Sequence, residues 1–346
     1  MSKKILYMCG SLNQTIMLHK ISKCLAGYEH FFTAYYSDGA EKFAAKLGLL
    51  DFSVLGGKFR EHTESYFTKN NLNIDYEGKK NNYDLVVVCS DLIMPKNLRN
   101  KKMVMVQEGM TDPENIFYHI VKKFKKIPRY FGGTAATGLS DSYTYLCVAS
   151  GGYKELFIRK GIKPEKIIIT GIPNFDNCVQ YLNNSFPYKN YALVCSSDSR
   201  ETFKYENRKE FILNAVKLSD GKQIIFKLHP NENVPRASRE INKWAPGSII
   251  FSKGHTDEMI ANCDILITSY STVIYVGLAL GKKVYSAFKL EDLEKQLPIQ
   301  NGGKSAEIIA NVCISLLENE AVMESEKSIS ADKESKDNVD ITYQTA

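Results

Sequence analysis

Short apolar runs recur along this chain at 4–9, 31–36, 85–90, 102–106, 145–148, 166–170, 191–195, 223–228, 248–251, 265–268 and 283–285, with stretches of helical period between them, among them 12–25 and 208–218. A run such as Val86-Val87-Val88-Cys89 is apolar at consecutive positions, not alternate ones, so a strand made of it must be covered on both faces. Strands of that kind separated by helices form parallel sheets wrapped on both sides. A length of 346 residues exceeds what one hydrophobic core usually supports. The expectation is therefore an α/β fold of two Rossmann-like, doubly wound domains facing a cleft. The break falls at Asn183-Asn184-Ser185-Phe186-Pro187-Tyr188-Lys189-Asn190, which is polar, carries a proline and has no periodicity. This sets domains at 1–184 and 189–323, and the Ser-, Lys- and Glu-rich stretch 324–346 reads as a disordered tail.

The balance of charge narrows the partners. A net charge of +6, with no Lys/Arg stripe, permits anionic substrates or a membrane surface and argues against nucleic acid. The cysteines, at 9, 24, 89, 147, 178, 195, 263 and 313, stand singly, with no C-x-x-C. That is the pattern of reduced, buried thiols in a cytoplasmic protein, with neither disulfide framework nor zinc site. The apolar start Ile5-Leu6-Tyr7-Met8-Cys9 is too short for a signal segment, and no run reaches the roughly 18 residues that a membrane helix needs.

Two motifs in the second half carry the chemistry. Phe226-Lys227-Leu228-His229-Pro230-Asn231 leaves a strand at a histidine followed by proline, which cannot donate to a ladder. Further on, Ile265-Leu266-Ile267-Thr268 breaks into Ser269, Tyr270, Ser271 and Thr272 before the helical run 273–281. Hydroxyls and free backbone N–H groups collected there suit a phosphate. His229, Pro230, Lys227, Ser269, Ser271 and Thr272 are thus candidates for holding a nucleotide. In the first half, Glu108 of Gln107-Glu108-Gly109 stands at a strand carboxyl end, where partial desolvation would raise its pKa toward that of a general base. Ser11 and Asn13, in the loop Gly10–Thr15 after the first strand, and Ser197, in Ser196-Ser197-Asp198-Ser199-Arg200, are further ligand candidates. The first-strand loop lacks G-x-G-x-x-G, which disfavours a dinucleotide. No Asp-x-Asp follows a strand, so neither metal nor other cofactor is expected.

Each motif has a plainer reading. Ser269, Ser271 and Thr272 can be a helix cap, His229 a strand-end histidine satisfied by backbone, and Glu108 the cap of a turn; Asp112 and His19 compete with Glu108 for the role of base. Residues 115–131 combine five basic residues with aromatics at helical spacing. That segment is either a membrane-surface patch or an ordinary helix with a solvated basic face.

These motifs resemble those of GT-B glycosyltransferases of bacterial capsule and lipopolysaccharide synthesis that use CMP-activated sugars, the polysialyltransferase and Kdo transferase type. The matching positions are Gln107-Glu108-Gly109, His229-Pro230 and Ser271-Thr272, with Gln107 departing from an acidic family pattern. Thr170-Gly171-Ile172-Pro173-Asn174-Phe175-Asp176 resembles the T-G-x-P-x-x-D signature of CDP-glycerol glycerophosphotransferases. The resemblance implies an acceptor-side domain at 1–184, a nucleotide-donor domain at 189–323, and a metal-independent inverting transfer with Glu108 as base. It also implies a nucleotide-sugar donor, a glycan or lipid-linked acceptor, and work in the cytoplasm or peripherally on the inner membrane face. UDP-N-acetylglucosamine 2-epimerases share the layout, but their first-strand G-T-R-P loop is replaced here by Gly10-Ser11-Leu12-Asn13-Gln14-Thr15. A non-catalytic nucleotide-binding protein would keep the fold and lose the base.

Overall fold

The computed structural model describes residues 2–319 except 52, 125, 203 and 204, so the expected tail over 324–346 lies outside the described residues. The strands are β1 (Lys4–Cys9), β2 (Glu29–Ala34), β3 (Leu85–Val88), β4 (Met103–Val106), β5 (Tyr145–Val148), β6 (Ile167–Ile169), β7 (Ala192–Cys195), β8 (Ile224–Lys227), β9 (Ile249–Phe251), β10 (Ile265–Thr268) and β11 (Lys283–Tyr285). They form two wholly parallel sheets, ordered β2-β1-β3-β4-β5-β6 and β11-β10-β7-β8-β9. Every residue of β3, β4, β7, β8 and β10 is buried, as continuous apolar runs demand. The one shifted strand, β2, starts at Glu29 and not at 31. It is an edge strand whose first residues are polar and partly exposed, so they carry no apolar signal while still pairing Lys4 with Glu29.

The helices are set by ordinary caps. Ser11 accepts from Gln14 N–H at the start of helix Leu12–Lys23, and Asn207 accepts from Glu210 N–H at the start of helix Arg208–Leu218. The first of these stops two residues short of the expected 25, where Cys24 N–H bonds back to Ile21. The polar stretch 183–190 is pinned by aromatics: Phe186 packs on Tyr191 and Phe251 at centroid distances of 6.1 and 5.6 Å.

The last helix, Ser305–Glu318, differs from the expected partition. It packs on helix Leu12–Lys23, and its Ile309, Val312, Cys313 and Leu317 join the core of the first sheet, not the second. The chain therefore returns to its first domain before residue 319. The return is secured by Asp176, the buried last residue of the Thr170–Asp176 segment. Its carboxylate accepts from Ser305 N–H at 2.8 Å at the helix start, and its carbonyl accepts from Gly302 N–H at 2.9 Å. Asn301 donates to Thr170 O and Gln300 to Phe175 O beside it. Gly171, at φ +70°, leaves no room for a Cβ, which would lie 2.3 Å from Ser305 Oγ. Asp176→Ala strands a buried N–H and removes a charge-assisted bond, so chemical denaturation should show a loss of about 1.5–3 kcal/mol.

Candidate functional site

The strand order reverses between β1 and β3 in one sheet and between β7 and β10 in the other. Ligands in open α/β sheets bind at the strand carboxyl ends beside such a reversal. Here both reversals open onto one cavity of about 430 Å³. The first domain lines it with residues following β1 (Asn13, Gln14), β3 (Ser90) and β4 (Glu108); the second with residues following β7 (Ser197, Asp198), β8 (His229) and β10 (Ser271, Thr272).

Glu108 is held from the β1 loop. Ser11 Oγ donates to its Oε1 at 2.9 Å and Gln14 Nε2 to its Oε2 at 2.5 Å. Burial pushes its pKa up from the ordinary carboxylate value, and these two bonds offset part of that rise. Gln107, which departs from the acidic pattern, is structural. Its amide donates to Gly109 O at 2.7 Å and its carbonyl accepts from Ala149 N–H at 2.9 Å, which fixes the turn presenting Glu108. A carboxylate there could accept from Ala149 but could not donate to Gly109.

On the facing wall, His229 Nδ1 accepts from Asn231 N–H at 3.3 Å and lies 3.5 Å from the Asp198 carboxylate. Burial pushes the imidazole pKa down, while Asp198 pulls against that shift. His229 N–H is shared between Ser196 Oγ and Glu232, and Glu232 is paired in turn with the buried Arg208 and with Arg200. This buried ion network ties the β7 loop to the β8 loop.

Of the sequence candidates, Glu108, His229, Asn13, Ser197, Ser271 and Thr272 line the cavity, and Ser11 reaches it through Glu108. Besides Ser11, three do not line it. Lys227 is buried and its ammonium donates to Leu228 O at 2.9 Å, so its charge turns into the protein. Pro230 is exposed beyond the turn, and Ser269 is taken up at the strand end, its carbonyl accepting from Ala287 N–H. The helix after the hydroxyl turn is Val273–Ala279, shorter than the expected 273–281, and Thr272 makes no side-chain cap bond. Of the competing bases, His19 is buried against Tyr66 and Phe32 with Nδ1 bonded to Tyr66 OH, and Asp112 is not part of the cavity wall. Sequence reasoning missed Gln14, Asp198 and Asn174, ordinary polar loop and helix residues whose value lies in where the sheets put them. Seven of the eight cysteines are buried and Cys24 is exposed. Burial raises the Cys89 thiol pKa on the cavity wall and keeps it protonated. Among the described residues no cluster of three or more His, Cys, Asp or Glu side chains is placed to hold a metal ion.

Two contacts lock the walls together. A Cβ at Gly109 would lie 2.5 Å from Thr272 Cγ2, so only glycine lets the Glu108 turn meet the hydroxyl turn. One turn along the helix after Thr272, Tyr275 crosses into the first domain's core. Its hydroxyl bonds the buried Tyr153 hydroxyl and its ring meets Phe175 edge-on.

No protein-family model matches the sequence, and no curated protein matches it. Solved structures do. MnaA from S. aureus, solved with UDP, superposes with a TM-score of 0.60 at 13% identity, over 93% of this chain and 98% of that one. A putative UDP-N-acetylglucosamine 2-epimerase from Listeria monocytogenes gives 0.57 at 12% identity over 94% and 99%. The UDP-GlcNAc 2-epimerase from Neisseria meningitidis, bound to UDP-GlcNAc, gives 0.55 at 13% identity over 90% and 100%. The likeness is one of fold, and it is GT-B-like.

Gly109→Ala forces the two turns apart. If the cavity is the reaction site, a displacement of this kind should cost roughly 10²-fold in kcat. Solution scattering should report a more open molecule; unchanged scattering and turnover would show that the contact is dispensable.

Proposed function

We propose that this protein is a metal-independent, inverting transferase that moves a sugar from a nucleotide-activated donor to a hydroxyl of a cell-surface glycan. A CMP-sugar is the favoured donor and a CDP-glycerol-type polyol phosphate the next. The observation that carries the reading is one carboxylate of raised pKa on the first wall, opposite a histidine and a pair of hydroxyls on the second. In the proposed step the acceptor oxygen attacks the donor's reacting carbon as its bond to the phosphate oxygen breaks. The acceptor proton passes to Glu108, and the electron pair leaves on the nucleotide phosphate. His229, Ser271 and Thr272 meet the charge that develops there. Closure brings base and leaving-group contacts together and keeps water from the donor.

A second reading, epimerisation at C2 of a UDP-sugar, draws support from the likeness in fold to the 2-epimerases. That chemistry calls for several acids around the sugar. The acids lining this cavity are Glu108 and Asp198, and Asp198 is engaged by Asn231 at 3.0 Å and faces His229. Incubating the protein with UDP-N-acetylglucosamine in D₂O separates the readings: deuterium appearing at C2 is the epimerase outcome. Nucleotide release that depends on an added acceptor, and that survives EDTA, is the transferase outcome.

As the base, Glu108 should contribute about 10²–10⁴-fold, so Glu108→Gln should lose that much turnover and still bind nucleotide. Because its pKa is raised, kcat/KM should climb with pH through a limb above the ordinary carboxylate range of about 4.3 and then level off. A limb at the ordinary value assigns the base elsewhere. The same shift means that the folded state holds this proton more tightly than the unfolded chain. Stability is therefore lost as pH rises from the ordinary value through the raised one. At neutral pH Glu108→Gln should accordingly melt no lower than the wild type.

His229, with its pKa lowered, is neutral in the empty site at neutral pH, and an entering phosphate favours its protonated form. Donor binding should therefore take up a proton, seen as a dependence of calorimetric enthalpy on the buffer's ionisation heat. Affinity should rise as pH falls toward about 6.5. His229→Ala should weaken nucleotide binding by about 1.5–3 kcal/mol and abolish the proton uptake. Unchanged binding in that variant removes His229 from the site.

A further inference from the structure

Helix Ile116–Lys123 has two apolar faces. Tyr118 and Val121 turn inward onto Ala135 and Ala136. Ile116, Phe117, Ile120 and Phe124, at spacings that place them on one side of the helix, turn the other way. Ile116 is 70% exposed, Phe117 56% and Phe124 53%, and Phe131, from the segment packed against this helix, is 57% exposed. A face this apolar is not the solvated basic face of an ordinary surface helix. Cations surround it. The sequence from 115 to 131 holds five lysines and arginines and no acid, and the described ones among them, Lys122, Lys123, Lys126 and Arg129, are exposed or partly so. Lys123 lies against the ring of Phe124, 5.7 Å from its centroid, with its ammonium beside the apolar face. Two acids border the stretch: Glu114 just ahead of the helix, and Glu41 of helix Gly39–Lys46, which accepts from Tyr130 OH at 3.4 Å.

We propose that this face, from Ile116 through Phe131, is a docking surface for an anionic lipid bilayer. Large apolar side chains beside lysine and arginine, on a segment with no acid of its own, match the headgroup–acyl boundary of a membrane carrying negative lipid. A protein partner of that chemistry would need a matching acidic rim around an apolar groove, whereas a bilayer supplies both at once. Among the described residues no helix is long and apolar enough to cross a membrane, so the contact is peripheral. Position adds a purpose. The helix begins a few residues after Thr111 on the cavity wall, and Thr134, also on that wall, accepts from Asp112 N–H at 2.7 Å just ahead of it. Docking here presents the acceptor side of the cleft to a lipid-borne hydroxyl. That consequence rests on the transferase reading; the docking rests on the surface alone.

The test is co-sedimentation of the full chain with vesicles of phosphatidylcholine alone and with vesicles containing phosphatidylglycerol. Binding is expected only to the second, and salt should weaken it. Each cation lost from the surface should lower partitioning roughly fivefold. Lys122→Glu/Lys123→Glu and Phe117→Ser/Phe124→Ser should each lower it at least about tenfold. The substituted side chains are exposed, so melting temperatures should stay at the wild-type value. Equal binding to both vesicles, or wild-type binding by either double variant, overturns the proposal. So does a wild-type dimer that Phe117→Ser/Phe124→Ser dissociates without any vesicle binding, an outcome that gives the face to a second copy. Nucleotide affinity measured without vesicles keeps the two readings apart: if it is absent while vesicle binding persists, the transferase reading falls and the docking stands.

Discussion

The contact of Gly109 with Thr272 is the point on which the site depends. Each sheet by itself offers half of the cavity lining: Glu108 comes from one and the hydroxyl turn with His229 from the other. Only where two turns pass without a side chain between them do the halves enclose one cavity. The supports behind that contact are of different kinds. On one side Gln107 bonds both Gly109 and Ala149, making the turn rigid. On the other, Tyr275 carries the helix that follows Thr272 into the core of the opposite domain, where its hydroxyl is satisfied by Tyr153. A buried hydroxyl without a partner is costly, so each tyrosine favours the closed arrangement that pairs it.

The two principal side chains are tuned in opposite senses by one cause. Burial raises the carboxylic acid of Glu108 and lowers the imidazole of His229, so both lean toward their neutral forms in the empty cleft. In the proposed step only the ionised fraction of Glu108 can accept the acceptor proton, while a donor phosphate would favour the charged form of His229. The ion network of Arg200, Arg208 and Glu232 is not part of the cavity lining and reaches it only through the bond of Glu232 to the His229 backbone N–H.

How much of this could be read in the sequence follows from which physical signals are local. Continuous apolar runs report burial on both faces of a strand, and each such run is a strand of one of the two parallel sheets. Where a strand begins with polar residues at a sheet edge, as Glu29 and His30 do, the signal fades by about that length. Glu108, His229, Ser271 and Thr272 were visible because polar groups directly after apolar runs fall at carboxyl ends. Lys227 misled for the same reason: it sits one step earlier, within the strand, and closes on its neighbour's carbonyl. Gln14, Asp198 and Tyr275 carried no local mark, since their partners lie 94 and 122 positions away for Gln14 and Tyr275 and 33 away, on the next strand's loop, for Asp198. The allegiance of helix Ser305–Glu318 was hidden likewise. Its apolar stripe tells that it is covered, and not by which sheet.

That helix has a mechanical consequence. The backbone crosses from one domain to the other between β6 and β7 and crosses back ahead of Ser305, and Asp176, Gln300 and Asn301 bind the two crossings to each other. A body joined by a single strand can twist and slide freely, whereas one joined by two adjacent, mutually bonded strands is confined largely to swinging about the line through them. Lys3 donates to Leu317 O and pairs with Glu318, which fastens the returning helix Ser305–Glu318 to the start of β1 in the first domain. Severing either crossing would turn a hinge into a tether.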